Sequence, residues 1–119
     1  MGVETFEDFE IWKLSRELYQ RTREYLKDKE TNDFLVSHIQ RTCVSIISNI
    51  AEGFERGTNK EFARFLFISR GSCGEYRAQL YLLCDLGMIG REEFDELYLL
   101  SKKISGGITN LVKYLKGAR

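Results

Sequence analysis

The sequence predicts an all-α fold: four helices packed as an antiparallel, up-down-up-down bundle. Three observations predict it. The 119 residues include no proline, so nothing breaks a long helix or removes one of its backbone donors. Apolar residues recur at three- and four-residue spacing in four successive stretches, the period of a helix face. The segments between those stretches are short, which makes neighbouring helices antiparallel. The β-branched run from Val44 to Ile50 lacks period-two alternation and lies inside a helical pattern, so no strand is expected there.

The first helix is expected over about residues 7–28. Ile11, Trp12, Leu14, Leu18, Tyr19, Tyr25 and Leu26 share one wide face, with Ser15 and Thr22 inside it. Thr5 and Asp8 resemble a capping box, with Asp where Glu is usual. The second helix is expected over about 33–54, with Asn32 as its N-cap. Leu35, Ile39, Thr42, Ile46 and Ile50 make one apolar line on it; Val36, Cys43, Ile47 and Phe54 make another. Between them runs a thin polar strip of His38, Arg41, Ser45, Ser48 and Glu52, so this helix is expected to be the most buried of the four.

The third helix, about 59–86, opens on Thr58-Asn59-Lys60-Glu61, the clearest capping box in the chain. It carries Phe62, Phe65, Leu66, Ser69, Cys73, Tyr76, Leu80 and Leu83 to a stop near Gly87. The fourth, about 91–116, has a single stripe that begins at Phe94 and Leu97 and ends at Val112 and Leu115. There is no internal repeat, low-complexity segment or linker. One domain over residues 1–119 is expected, a size that buries roughly two-thirds of the unfolded surface.

Antiparallel pairing sets levels. Around a turn near residues 56–58, facing positions on the second and third helices sum to about 115. Arg41 then falls level with Glu75, and Glu52 with Arg64, and both are expected as ion pairs. On the third and fourth helices the sum is about 177, which sets Gly71 opposite Gly106. A mid-helix glycine costs roughly 1 kcal/mol against alanine. Close backbone approach near Gly71 and Gly106 is the expected reason for them, and for Gly74 and Gly107. Gly53, Gly57, Gly87, Gly90 and Gly117 read as punctuation at helix ends.

Composition narrows the function. Lys and Arg number 18 and so do Asp and Glu, so no long-range field draws the chain to nucleic acid or membrane, although a local basic patch remains open. No apolar run approaches the roughly 20 residues that span a bilayer. Residues 1–10 are acidic and broken by charge, unlike a signal peptide. Cys43, Cys73 and Cys84 sit among apolar residues without Cys-x-x-Cys spacing, as reduced core thiols of a cytoplasmic protein would. The single histidine, His38, has no ligand at metal spacing on its own helix. "RGSCGEY" around Ser72 is not a nucleophile elbow, which needs Gly-x-Ser-x-Gly on a strand-to-helix turn. A non-enzymatic protein without metal or cofactor is expected.

Two constellations remain. Arg41, Ser45, Ser48, Asn49 and Glu52, with Arg64 and Glu75 opposite, read as a helix–helix seam whose serines are small and bond back to carbonyls one turn earlier. The alternative is a ligand or nucleic-acid contact. Lys102, Lys103, Lys113, Lys116 and Arg119 lie on the outer side of the fourth helix. They could hold phosphates, or form a solvated face that complements the helix dipole.

The same polar strip carries a resemblance. "FEDFEIWKLSREL", "LVSHIQRTCVSIISNIAEGFERGTNKEFARFLFISRGSCGEYRAQL" and the Leu86-Gly87 pair resemble the four-helix-bundle proteins encoded within intervening sequences of bacterial 23S ribosomal RNA. The resemblance spans nearly the whole chain. It implies a short up-down bundle assembled as a ring-shaped homopentamer. A distant branch comprises accessory proteins of diversity-generating retroelements, which bind a reverse transcriptase and RNA through basic surfaces. The resemblance implies fold and assembly rather than an activity. It suits the two apolar faces of the second helix and the broad stripe of the first, which a ring would cover, with these two helices giving much of the interface. The expected role is a homo-oligomeric binding or scaffold module whose partner is RNA or an RNA-processing protein. A small-molecule bundle with its pocket in the core or ring centre is the alternative.

Overall fold

The computed structural model describes residues 2–29 and 33–117. The expected N-cap at Asn32, and Arg119, lie outside the described residues. A 3-10 turn, Phe6–Asp8, precedes four α-helices: α1 (Glu10–Leu26), α2 (Phe34–Glu55), α3 (Asn59–Asp85) and α4 (Arg91–Gly117). No strand occurs among the described residues.

Local hydrogen bonds explain where each helix begins. Thr5 and Asp8 bond to each other, Oγ1 to Oδ2 at 3.0 Å, rather than capping a helix. The chain closes a 3-10 turn there, with Phe9 N–H donating to the Phe6 carbonyl at 3.1 Å. Phe9 then adopts an extended backbone, and its ring lies 5.5 Å from those of Phe54 and Phe62. That is why α1 starts three residues later than the apolar pattern suggests. At α2 the Asp33 carboxylate accepts from the N–H groups of Leu35 and Val36, at 2.8 and 3.3 Å. At α3 the Thr58 hydroxyl accepts from Glu61 N–H at 3.2 Å, half of the box read from sequence. At α4 the Gly90 N–H donates to Glu93 Oε1 at 2.9 Å. Gly57 and Gly87, with φ of 88° and 73°, make the left-handed turns that glycine alone adopts without penalty.

Cross-helix bonds fix the direction of packing. Ser69 Oγ donates to the Ile46 carbonyl at 2.8 Å, Ser45 and Ser72 share a bond of 2.9 Å, and His38 Nε2 lies 3.4 Å from Glu75. Numbers rise on α2 as they fall on α3, so the two are antiparallel. The same holds between α3 and α4, where Arg77 meets Ser101 and Arg70 meets Thr109, both at 3.0 Å. Between α1 and α4, Ile11 lies against Gly107, and Arg21 bonds Glu96 at 2.6 Å.

The core runs the length of the bundle through Leu18, Ile39, Ile46, Leu66, Leu80, Leu97 and Ile104, none measurably exposed beyond 1%. Most of its polar groups are partnered, Gln79 Oε1 being an exception. Thr22 Oγ1 and Tyr76 Oη bond at 2.6 Å across α1 and α3. Ser15 and Thr22 each donate to a carbonyl one turn back, at 2.6 and 2.7 Å, the back-bonding that lets a hydroxyl enter an apolar face. Burial pushes the Cys43 thiol up to about 12 and Cys73 up to about 11, so both are neutral thiols. Cys84 is only half-buried.

Four expectations are corrected. The most buried helix is α3, with eleven of 27 residues buried, against seven of 22 in α2. The second apolar line of α2 is split: Val36 and Cys43 are in the core, while Ile47 and Phe54 are only half-covered. Gly71 and Gly106 do not mark a close approach: a Cβ added to either would meet nothing within 4 Å. The close approaches are at Gly53 and Gly107. An added Cβ at Gly53 would sit 2.6 Å from Phe65 Cβ, and at Gly107 2.6 Å from Ile11 Cγ2. Gly53 is therefore no helix-end signal; it lies inside α2 and admits α3. Nor do the expected ion pairs form, as the charged strip shows.

Candidate nucleic-acid interface

The polar strip of α2 divides in two. Ser45 and Asn49 belong to the α2/α3 seam. Asn49 Nδ2 donates to the Ser45 carbonyl at 2.8 Å and to its hydroxyl at 3.2 Å, and that hydroxyl meets Ser72. This closed chain of small polar groups holds two helices and leaves little for a ligand. Arg41, Ser48 and Glu52 are exposed. Glu52 binds Arg56 on its own helix at 3.0 Å, and Arg64 binds Glu61 on its own, also at 3.0 Å. Arg41 Nη2 lies 3.2 Å from His38 Nδ1, and it is His38 that meets Glu75. The levels are right, but local partners within one turn take three of the four expected charges.

The basic residues concentrate on the other side of α3. No acidic residue occurs from Phe62 to Gly74 on α3, nor from Leu97 to Gly117 on α4. Antiparallel packing lays these two stretches together. Arg77 reaches across to the hydroxyls of Ser101 and Ser105 at 3.0 Å, and Arg70 to Thr109 at 3.0 Å. Both arginines are half-buried as residues, and among the described residues neither has a carboxylate at ion-pair distance. Their neutral partners fix direction without cancelling charge.

Lys102, Lys103, Lys113 and Lys116 are all exposed, but they do not form one group. Lys102 and Lys113 stand eleven residues apart, about three helical turns, and share a face. Lys116 turns to α3, its ammonium 5.0 Å from the Phe67 ring centre. Lys103 is rotated away by about 100°; it lines a cleft of about 490 Å³ on the opposite flank, with Ile11, Leu14 and Gly107.

The seam ends in a second cleft of about 500 Å³, lined by Asn59, Lys60, Glu61, Ala63, Arg64, Phe67, Leu115 and Lys116. Phe67 is 39% exposed, and Arg70 lies 4.9 Å from its ring centre. The Glu61 carboxyl is held below its usual range by its hydrogen bonds to Arg64, Nε to Oε2 at 3.0 Å and Nη2 to Oε1 at 3.3 Å. The seam's cations run from Arg77 to Lys116, about 20 Å along the helix axes. Arg70, Arg77, Lys60 and Phe67 were not singled out by sequence. For Arg70 and Phe67 the signal lay in the two acid-free stretches, which matter only once antiparallel packing joins them; Lys60 and Arg77 lie just outside, beyond Glu61 and Glu75.

Fold and surface together define a class: an antiparallel four-helix bundle with a basic seam between α3 and α4. The family model for the 23S rRNA-intervening sequence protein matches residues 7–110, and the chain belongs to that family. Among solved structures, a protein of unknown function from the S23 ribosomal protein family of Bacteroides thetaiotaomicron VPI-5482 is similar, with a TM-score of 0.78 and 23% identity. That likeness covers 87% of this chain and 98% of the other, and at that identity it concerns the fold alone. No curated protein matches the chain.

Proposed function

We propose that this protein is a non-enzymatic, self-assembling helical module that binds RNA along the α3/α4 seam. A single observation carries the reading: two half-buried arginines without carboxylate partners among the described residues, beside Lys102, Lys113 and Lys116, along a seam whose facing stretches 62–74 and 97–117 hold no acidic residue. Charges held by hydroxyls at fixed positions are arranged for an external anion. A chain of balanced overall charge gains a local field this way. Homopentameric assembly belongs to the same reading and rests on the family resemblance. The α2 strip contributes to it as a structural seam rather than as a ligand site. An RNA-processing protein would meet the module through the RNA both hold.

Fluorescence anisotropy with labelled RNA tests the proposal. Affinity should fall as salt rises, with a log–log slope of about −0.7 per phosphate contacted on a single strand. Reversing Lys102 and Lys113 to Glu should weaken binding and flatten that slope. Equal affinity and slope in parent and variant would remove the seam from the site.

A further inference from the structure

We infer that the cleft at the end of the seam holds one unpaired nucleotide of a single-stranded RNA, its base lying on the Phe67 ring and its phosphates held by Lys60, Arg70 and Lys116. The inference rests on the RNA-binding reading above and names the feature of RNA that is recognised.

The cleft's residues are of three kinds. Phe67 offers an aromatic face, while Ala63 and Leu115 make the walls apolar. Phe67 is 39% exposed at the mouth of the cleft, so part of its ring is open to a ligand. Cations surround that ring. Arg70 and Lys116 lie 4.9 and 5.0 Å from its centre, and Lys60 and Arg64 line the same cleft. Among the described residues the one carboxylate lining it, Glu61, is paired with Arg64. Asn59, at the same mouth, supplies both a donor and an acceptor for a base edge. An aromatic platform flanked by cations is the usual equipment for single-stranded nucleic acid, since every base has a face to stack and every nucleotide a phosphate to pair.

Shape argues against a duplex. Bases in an A-form helix are stacked on each other, and proteins read that helix through backbone and 2′-hydroxyls, without recessed aromatic rings. A partly exposed ring at the mouth of a cleft of about 500 Å³, a volume within the range of small-ligand sites, offers its face to a base splayed out of its stack. Lys116 would have to swing aside. Its flexible stem lets the ammonium leave the ring for an adjacent phosphate as the base takes its place, exchanging a weak exposed cation–π contact for stacking and a charge-assisted bond. Arg70, tied to Thr109, keeps its position.

The test uses anisotropy titrations of the whole chain with three labelled RNAs of about twelve nucleotides, within the span of known single-strand sites. These are an oligouridylate, the same strand with abasic positions, and a blunt duplex. The single strand with bases should bind best. Phe67→Leu, which keeps the cleft apolar, should weaken it by roughly 5- to 150-fold and leave the abasic strand unchanged. Phe67→Trp should retain affinity. Unchanged binding by Phe67→Leu, alongside loss in the Lys102/Lys113 variant, overturns the nucleotide site and leaves the RNA reading standing. A parent protein that binds none of the three RNAs overturns both. A Phe67→Leu variant of lower assembly mass but unaltered affinity assigns the ring to self-association, which also overturns the site. Should Phe67→Leu lose its helical circular-dichroism signal, Phe67→Trp decides. Quenching of its fluorescence by the base-bearing strand, beyond that of Trp12 in the parent, supports the site, and equal quenching rejects it.

Discussion

Gly106 and Gly107 are adjacent on α4, yet one faces open space and the other would drive a Cβ into Ile11. One residue turns a helix by about 100°, and that rotation decides whether a glycine is a structural requirement or a loss. The sequence shows the cost of each glycine but not its direction, so it pointed to Gly71 and Gly106 and passed over Gly53. The consequence is measurable. Gly53→Ala should destabilise by about 1–3 kcal/mol, because Phe65 Cβ and the Phe62 ring and backbone are already against the site. Gly71→Ala and Gly106→Ala should stabilise by up to about 1 kcal/mol, the helix-propensity difference that nothing in the packing opposes. Urea-unfolding midpoints distinguish these outcomes. A loss of stability at Gly71 would mean that the residue is covered by something outside the single chain.

Between elements, the register was legible and the pairing was not. The predicted sum of about 115 recurs in Ser69 against Ile46, because loop length alone sets the level of antiparallel neighbours. Ion pairs answer to something more local. Arg64 finds Glu61, and Glu52 finds Arg56, within one turn of their own helices. At exposed positions such a partner competes well with one across a seam. Glu52→Gln or Arg64→Gln should accordingly cost under about 1 kcal/mol. A cross-helix network of charge does form where α1 clasps α4. There Glu96 accepts from Arg21 Nη1 at 2.6 Å and from Tyr25 Oη at 2.8 and 2.9 Å. Tyr25, and then Arg21, hold the Glu96 carboxyl below its usual 4.5. A carboxylate depressed in the folded state adds stability that is complete above its unfolded value and is lost as pH falls through the folded one. Glu96→Gln should therefore flatten the loss of stability from about pH 5 downward. The effect should stay under about 1 kcal/mol, since the pair is exposed to solvent. Unfolding midpoints that fall equally with pH in parent and variant would show that the clasp carries no such load.

At the scale of the whole molecule the question is what covers the remaining apolar surface. Two lines on α2 and a wide stripe on α1 suggested that these helices face a neighbour. In the folded chain no large hydrophobic residue of α1 is exposed; Trp12 and Tyr19 are half-covered. The exposed ones lie elsewhere. Ile68 and Leu82 stand on the outer side of α3, Leu86 just beyond its end, and all three point within about 40° of one another around the helix axis. Phe34 opens α2 at the same end, stacked 5.3 Å from His38, and Val44 is exposed farther along that helix. Sequence could not tell these from core residues, because a helix apolar on more than one side reads alike whether its second side meets a partner helix or a partner subunit. The expected interface of the proposed ring therefore moves from α1 and α2 to α2 and α3. It lies apart from the basic seam, so both can be occupied together. A closed ring joins one patch to a different one on the next subunit, and a stable contact buries at least about 1,000 Å² in total. Light scattering on the purified parent should give about 70 kDa, five times the 13.9 kDa of one chain. Ile68→Glu with Leu82→Glu should bring it to 13.9 kDa while helical circular dichroism persists, because both substitutions lie at exposed positions where a single chain loses little packing. A parent already at the mass of one chain sinks the ring. A dimer keeps the argument from uncovered apolar surface and discards the number five, which came from resemblance alone.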